Sequence, residues 1–181
     1  MRTGMARMGK LRTILAIGLA VLATGAAATG VIGISAAGPP PQELVLVKQI
    51  SVPADAGWVD TGLDAVQGDE FHIKGLGEIC LQRGNPAANC GPAGLDLMTG
   101  QQPIPDQNIG ALVGKVAQLV SVRKDEDTGE EIRDEIAVYF FVGIENDVTV
   151  PLKGRLYLGV NENVVKDNTG EFTAFIYKRR V

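Results

Sequence analysis

Histidine is almost absent from this chain: His72 is the only one in 181 residues. Serine and cysteine nucleophiles need a partnered base, and histidine-rich zinc centres need several imidazoles, so both lack their components here. His72 itself reads as an exposed bystander on the wet face of a strand. A Gly-x-Ser-x-Gly elbow and a glycine-rich phosphate loop are also missing. The chain is therefore not read as an enzyme, and Glu162 with Asp167 is the one carboxylate pair that would suit glycoside hydrolysis. Cysteine is limited to Cys80 and Cys90, two thiols short of a four-ligand zinc site. Basic residues are few and scattered, 17 Lys and Arg against 21 Asp and Glu, which excludes the clustered cations that a nucleic-acid partner requires. The single tryptophan, Trp58, reads as core or inter-sheet packing.

Four of those cations stand at the N-terminus: Arg2, Arg7, Lys10 and Arg12 precede an uncharged run over residues 13–38. A basic flank before an apolar segment is the layout of an export signal. Small residues at 26–28 and 35–37 offer cleavage points, while the run is also long enough to cross a bilayer of about 30 Å as a helix. Residues 1–37 are thus expected to be a signal peptide or an N-terminal membrane anchor. A proline-rich spacer follows over 38–42, and one domain over 43–181. The expected location is extracytoplasmic, whether secreted, periplasmic or held on the outer face of the cytoplasmic membrane, with membrane contact only through the N-terminal segment. Taking the four leader cations from a net charge of −4 leaves −8 on the exported part, which suits solubility and cation binding.

The remaining chain alternates polar and apolar residues in short runs broken by Gly, Asn and Asp, with no convincing soluble helix. Strands are expected near 44–50, 70–79, 109–122 and 136–142, and in two terminal runs. In these, Leu156, Leu158 and Val160, then Phe172, Ala174 and Ile176, alternate with their neighbours. The run Ile136, Ala137, Val138, Tyr139, Phe140 and Phe141 is apolar on both faces, which predicts a strand in the middle of a sheet. Residues 123–131 form an acidic stretch without the glycine and distal glutamate of a calcium-binding helix–loop–helix, so a solvated hairpin tip turning at Asp127, Thr128 and Gly129 is expected. About eight such strands predict an all-β fold, an antiparallel two-sheet jelly-roll sandwich. In an exported protein the pair Cys80 and Cys90 predicts a disulfide closing the loop between them, worth about 2–3 kcal/mol.

The most informative stretch lies between the terminal runs. Asn161, Glu162, Asn163, Asp167 and Asn168 place carboxylate and amide oxygens in one loop at the end of a sheet, the ligand chemistry of a hard cation such as Ca2+. RLYLGVNEN followed by DNTGEF resembles the closing elements of the PA-I-type calcium-dependent, galactose-binding lectins of bacteria. GDEFHI, CGPAG, PDQ and ALVGKV extend the likeness over roughly residues 58–177. The resemblance implies a galactose-binding-domain-like sandwich that binds a glycan through calcium. It implies metal ligation by Glu162, Asp167 and Asn168 and by the carbonyls of Leu81 and Val165, with Gln82 as a second choice for the first carbonyl. Sugar contacts are implied for Asp106, Gln107, Glu162 and Asp167. The chain departs from the family in three places. Ile104 stands where the family has a sugar-binding histidine, Glu162 replaces an aspartate, and the family's loop before the position of Asp167 is longer. The glycan therefore need not contain galactose. The alternative is an envelope-anchored structural or assembly domain that keeps the sandwich without sugar binding, with a homo-oligomer or an envelope protein as partner.

Overall fold

The computed structural model describes residues 43–100, 102–126 and 128–179. The expected leader, 1–37, and the spacer, 38–42, lie outside these residues. Among the described residues nine strands run in the order β1 Leu44–Pro53, β2 Val59–Ala65, β3 Glu70–Cys80, β4 Asn89–Cys90, β5 Leu112–Lys124, β6 Glu131–Phe141, β7 Glu145–Thr149, β8 Gly154–Val160 and β9 Thr169–Arg179, with one 3-10 turn at Pro86–Ala88. All pairings are antiparallel. One sheet has the order β1-β9-β3, and the far edge of β3 is shared between β7 and β4. The other has the order β2-β8-β5-β6.

The alternation read in the sequence decides what faces inward. Phe71, Ile73 and Ile79 of β3 and Phe172, Ala174 and Ile176 of β9 meet Leu112 and Val116 of β5 and Leu156, Leu158 and Val160 of β8 in one buried cluster between the sheets. Each large side chain buried there contributes about 1.5–3 kcal/mol, the main force holding the layers together. The terminal runs are the inner strands of this arrangement. β8 lies in one sheet and β9 in the other, so residues 161–168 cross from sheet to sheet at one end of the sandwich.

Four expectations are corrected. The apolar run at 136–141 belongs to β6, an edge strand whose Ile136, Val138 and Tyr139 are exposed. The segment after it contains β7, a strand too short and polar to show a pattern, which pairs with β3 and sets Asp147 opposite His72. His72 is consequently not an exposed bystander. Its side chain is 16% exposed, with Nδ1 3.0 Å from Asp147 Oδ1 and Nε2 3.2 Å from Glu145 Oε1. Trp58 is half-buried on the outer face of the second sheet, 5.5 Å from the Tyr139 ring, with Lys115 Nζ 5.2 Å from its centroid.

The fourth correction is the disulfide: Cys80 and Cys90 are both free thiols. Across the β3–β4 ladder Ile79 pairs with Cys90 and Cys80 with Asn89. Because successive side chains point to opposite faces, Cys90 shares the inner face with buried Ile79 while Cys80 falls on the other face of the ladder, its Sγ 3.0 Å from Gln82 O. Burial pushes the Cys90 thiol up to about 11, and the nearby Glu162 carboxylate adds to the shift, so it stays protonated at neutral pH.

Candidate functional site

Three segments converge where β3 and β8 end and β9 begins. The first is the sheet-crossing loop 161–168. The second is the turn after β3, where Arg83 N donates to the Asp167 carbonyl at 2.9 Å and Leu81 N donates to Ala88 O at 3.0 Å. The third is the long connection from β4 to β5, residues 91–111. Gly94 and Gly110 let it run close to the sheet. Both have positive φ, and a Cβ on Gly110 would lie 2.9 Å from Cys90 Sγ and 2.8 Å from Leu81 Cδ1.

Asn161 ties the first segment to the third. It is fully buried, and its Oδ1 accepts from Ile104 N at 2.9 Å while Nδ2 donates to the carbonyls of Ile104 at 3.0 Å and Asn108 at 3.1 Å. Its own backbone continues the union, with N to Ala111 O at 2.8 Å and O accepting from Gly110 N at 3.2 Å. Gln102, also buried, adds donation from Nε2 to Ile104 O at 3.1 Å and to Gln107 O, and Thr99 Oγ1 donates to its Oδ-equivalent oxygen, Oε1, at 3.1 Å. Side chains thus do for this irregular segment what a ladder does for a strand. The sequence marks Asn161 only as one of several loop oxygens and gives Gln102 no signal.

The expected metal ligands lie beside this union. Asn168 is fully buried, and its Nδ2 donates to Glu162 Oε2 at 2.7 Å and to Ala54 O at 3.2 Å. Its Oδ1 is buried with no hydrogen-bond partner. Burial pushes the Glu162 carboxyl up, the hydrogen bond from Asn168 opposes this, and the charge of Asp167 reinforces it. Asp167 is exposed, and the Val165 carbonyl accepts from Asn168 N at 3.1 Å, leaving a lone pair. Leu81 stands one residue past β3 in the turn tied to Asp167 through Arg83.

Among the described residues no three His, Cys, Asp or Glu side chains cluster for a metal ion. The loop offers instead two repelling carboxylates, an orphaned amide oxygen and main-chain carbonyls. A hard cation fits that set, since it would satisfy Asn168 Oδ1 and relieve the Glu162–Asp167 repulsion.

Of the expected sugar contacts, Asp106 is exposed and Gln107 half-buried on the segment that Asn161 and Gln102 hold by its main chain. A cleft of about 100 Å³ opens between that segment and the crossing loop, lined by Thr99, Gln102, Ile109, Glu162, Asn163 and Val164.

No family model matches the chain, and no curated protein matches it. Among solved structures it is similar to the EclA N-terminal domain, a PllA-like lectin, at 22% identity and a TM-score of 0.50. The match covers 75% of this chain and 98% of that domain. The resemblance to PA-I-like lectin domains read from the motifs thus holds at the level of the fold.

Proposed function

We propose that the domain binds glycans with the help of calcium at the end of the sandwich where loop 161–168 meets loop 99–109. The observation that carries this reading is the buried, unpartnered Oδ1 of Asn168 beside the raised Glu162 carboxyl. An oxygen of that kind costs about 1–3 kcal/mol when left unpaired, which favours a ligand that completes it. Glu162, Asp167 and Asn168 Oδ1, with the carbonyls of Leu81 and Val165, are the groups that would hold the ion. Calcium, when bound, supplies a hard positive centre that neighbouring sugar hydroxyls can ligate. The chain's own part is to position that centre, through Asn161, next to Gln107, whose side-chain amide suits a hydroxyl. Ile104 lends one apolar surface in place of a polar contact, so the preferred glycan is left to hydroxyl geometry and not fixed as galactose. We read the sandwich further as a jelly roll of the galactose-binding-domain type.

The leader supports delivery across the cytoplasmic membrane. Protease added to intact spheroplasts should degrade the domain, and protection would contradict export. Binding is tested by retention on immobilised hexoses and a glycan array, with calcium and with chelator. Calcium-dependent retention is expected, weakened about tenfold in Gln107→Ala, the loss of one hydrogen bond. No retention on any glycan in calcium would overturn the reading and favour the structural or assembly role.

A further inference from the structure

The residues of β6 are those of an inner strand, yet β6 lies at an edge. Its run at 136–141 carries apolar side chains on both faces, and Ile136 is 59%, Val138 37% and Tyr139 44% exposed. Sheet edges are normally blunted by charge, proline, a bulge or brevity. The other edges follow that rule. β1 has a register shift beside Lys48, β2 a shift between Asp60 and Asp64, β7 only five residues including Glu145 and Asp147, and β4 two residues. In β6 the charges Arg133, Asp134 and Glu135 guard one half and nothing guards the other. The ribbon is also under-supported: β8 pairs with β5 only as far as Ala117, so residues 118–124 and 131–136 have each other alone. Two-stranded ribbons are marginal in water without a further layer or strand.

We propose that a second copy of this chain completes the edge, the two β6 strands pairing antiparallel about a two-fold axis at Val138. Self-complementarity selects the occupant and the register. With Val138 on the axis, Ile136 of one copy lies opposite Phe140 of the other and Ala137 opposite Tyr139. Ile136 to Phe140 then meet apolar partners throughout, Tyr139 faces the small Ala137, and of the charged triplet only Glu135 enters the ladder, opposite Phe141 at its margin. Moving the axis to Asp134 or Glu135 sets a carboxylate against itself. The two four-stranded sheets become one continuous eight-stranded sheet, and the run gains the inner position its composition suits. This inference stands apart from glycan or metal binding.

The full chain in detergent, at tens of micromolar, is examined by sedimentation equilibrium and by light scattering on a sizing column. The wild type is expected at twice the chain mass. Val138→Lys, which sets like charges face to face on the axis, should weaken association at least tenfold while far-UV circular dichroism is unchanged. Val138→Cys should form a covalent dimer on mild oxidation, reversed by reductant and well above the level of the parent with its two native thiols. That second variant decides the matter even if Val138→Lys fails to fold. A monomeric wild type, a dimer indifferent to Val138→Lys, or no excess cross-linking in Val138→Cys would each overturn the proposal.

Discussion

The loop end around Asn161 and the ribbon of β5 and β6 solve the problem of order in opposite ways. Around Asn161 there is little regular ladder, but buried amides of Asn161, Gln102 and Asn168 bond one segment to another and take the place of strand pairing. In the ribbon the ladder is nearly continuous from Val113↔Phe141 to Lys124↔Glu131, broken by one shift near Val120, but most of its outer length buries little. The comparison separates regularity from rigidity. A loop whose main chain is tied by buried amides can hold a ligand geometry, while a regular ribbon without a third neighbour is a surface awaiting one.

That contrast can be broken by urea unfolding of graded variants. Asn161→Ala should cost most, about 2–4 kcal/mol, because it strips partners from Ile104 N and from the Ile104 and Asn108 carbonyls at once. A loss below about 1 kcal/mol would mean that the loop is held by something else. Asp69 is intermediate. Burial works against its carboxylate, but Lys178 at 2.9 Å and the Val66 amide at 3.0 Å more than offset this and hold it below its ordinary value of 3.8. A lowered value stabilises the fold fully above the unfolded value and loses that contribution as pH falls through the folded one. Asp69→Asn should therefore cost about 1 kcal/mol at neutral pH and progressively less below pH 3.8. A pH-independent difference would contradict it. Ile136→Ala, on the ribbon, should change the stability of the isolated chain by no more than about 0.5 kcal/mol.

Much of the fold was legible because burial writes itself into period two. Phe71 and Ile73, Leu156 and Leu158, and Phe172 and Ala174 declared their strands and their inner faces. Period says which face is buried but not which strand lies alongside, and for that reason the run at 136–141 read as central while it forms an edge. β7 escaped because five residues with four polar side chains show no period at all. The cysteine pair misled because spacing in sequence does not fix pairing register: the turn at Pro86–Ala88 brings Cys90 opposite Ile79 and not opposite Cys80. Within the candidate site, Glu162 and Asn168 were legible as oxygen donors and do meet. Asn161 and Asn168 look alike in sequence, and only the fold makes one a structural tie and leaves the other with a free oxygen.

The central claim, that the 162–168 loop is built to hold a cation, is tested most directly by thermal unfolding in millimolar calcium and in chelator, for the wild type and Asp167→Ala. With a dissociation constant on the order of 10–100 μM, calcium should stabilise the wild type by about 1.5–3 kcal/mol and raise its midpoint by several degrees. Asp167→Ala should lose that gain. Identical midpoints with calcium and chelator in the wild type would contradict the account.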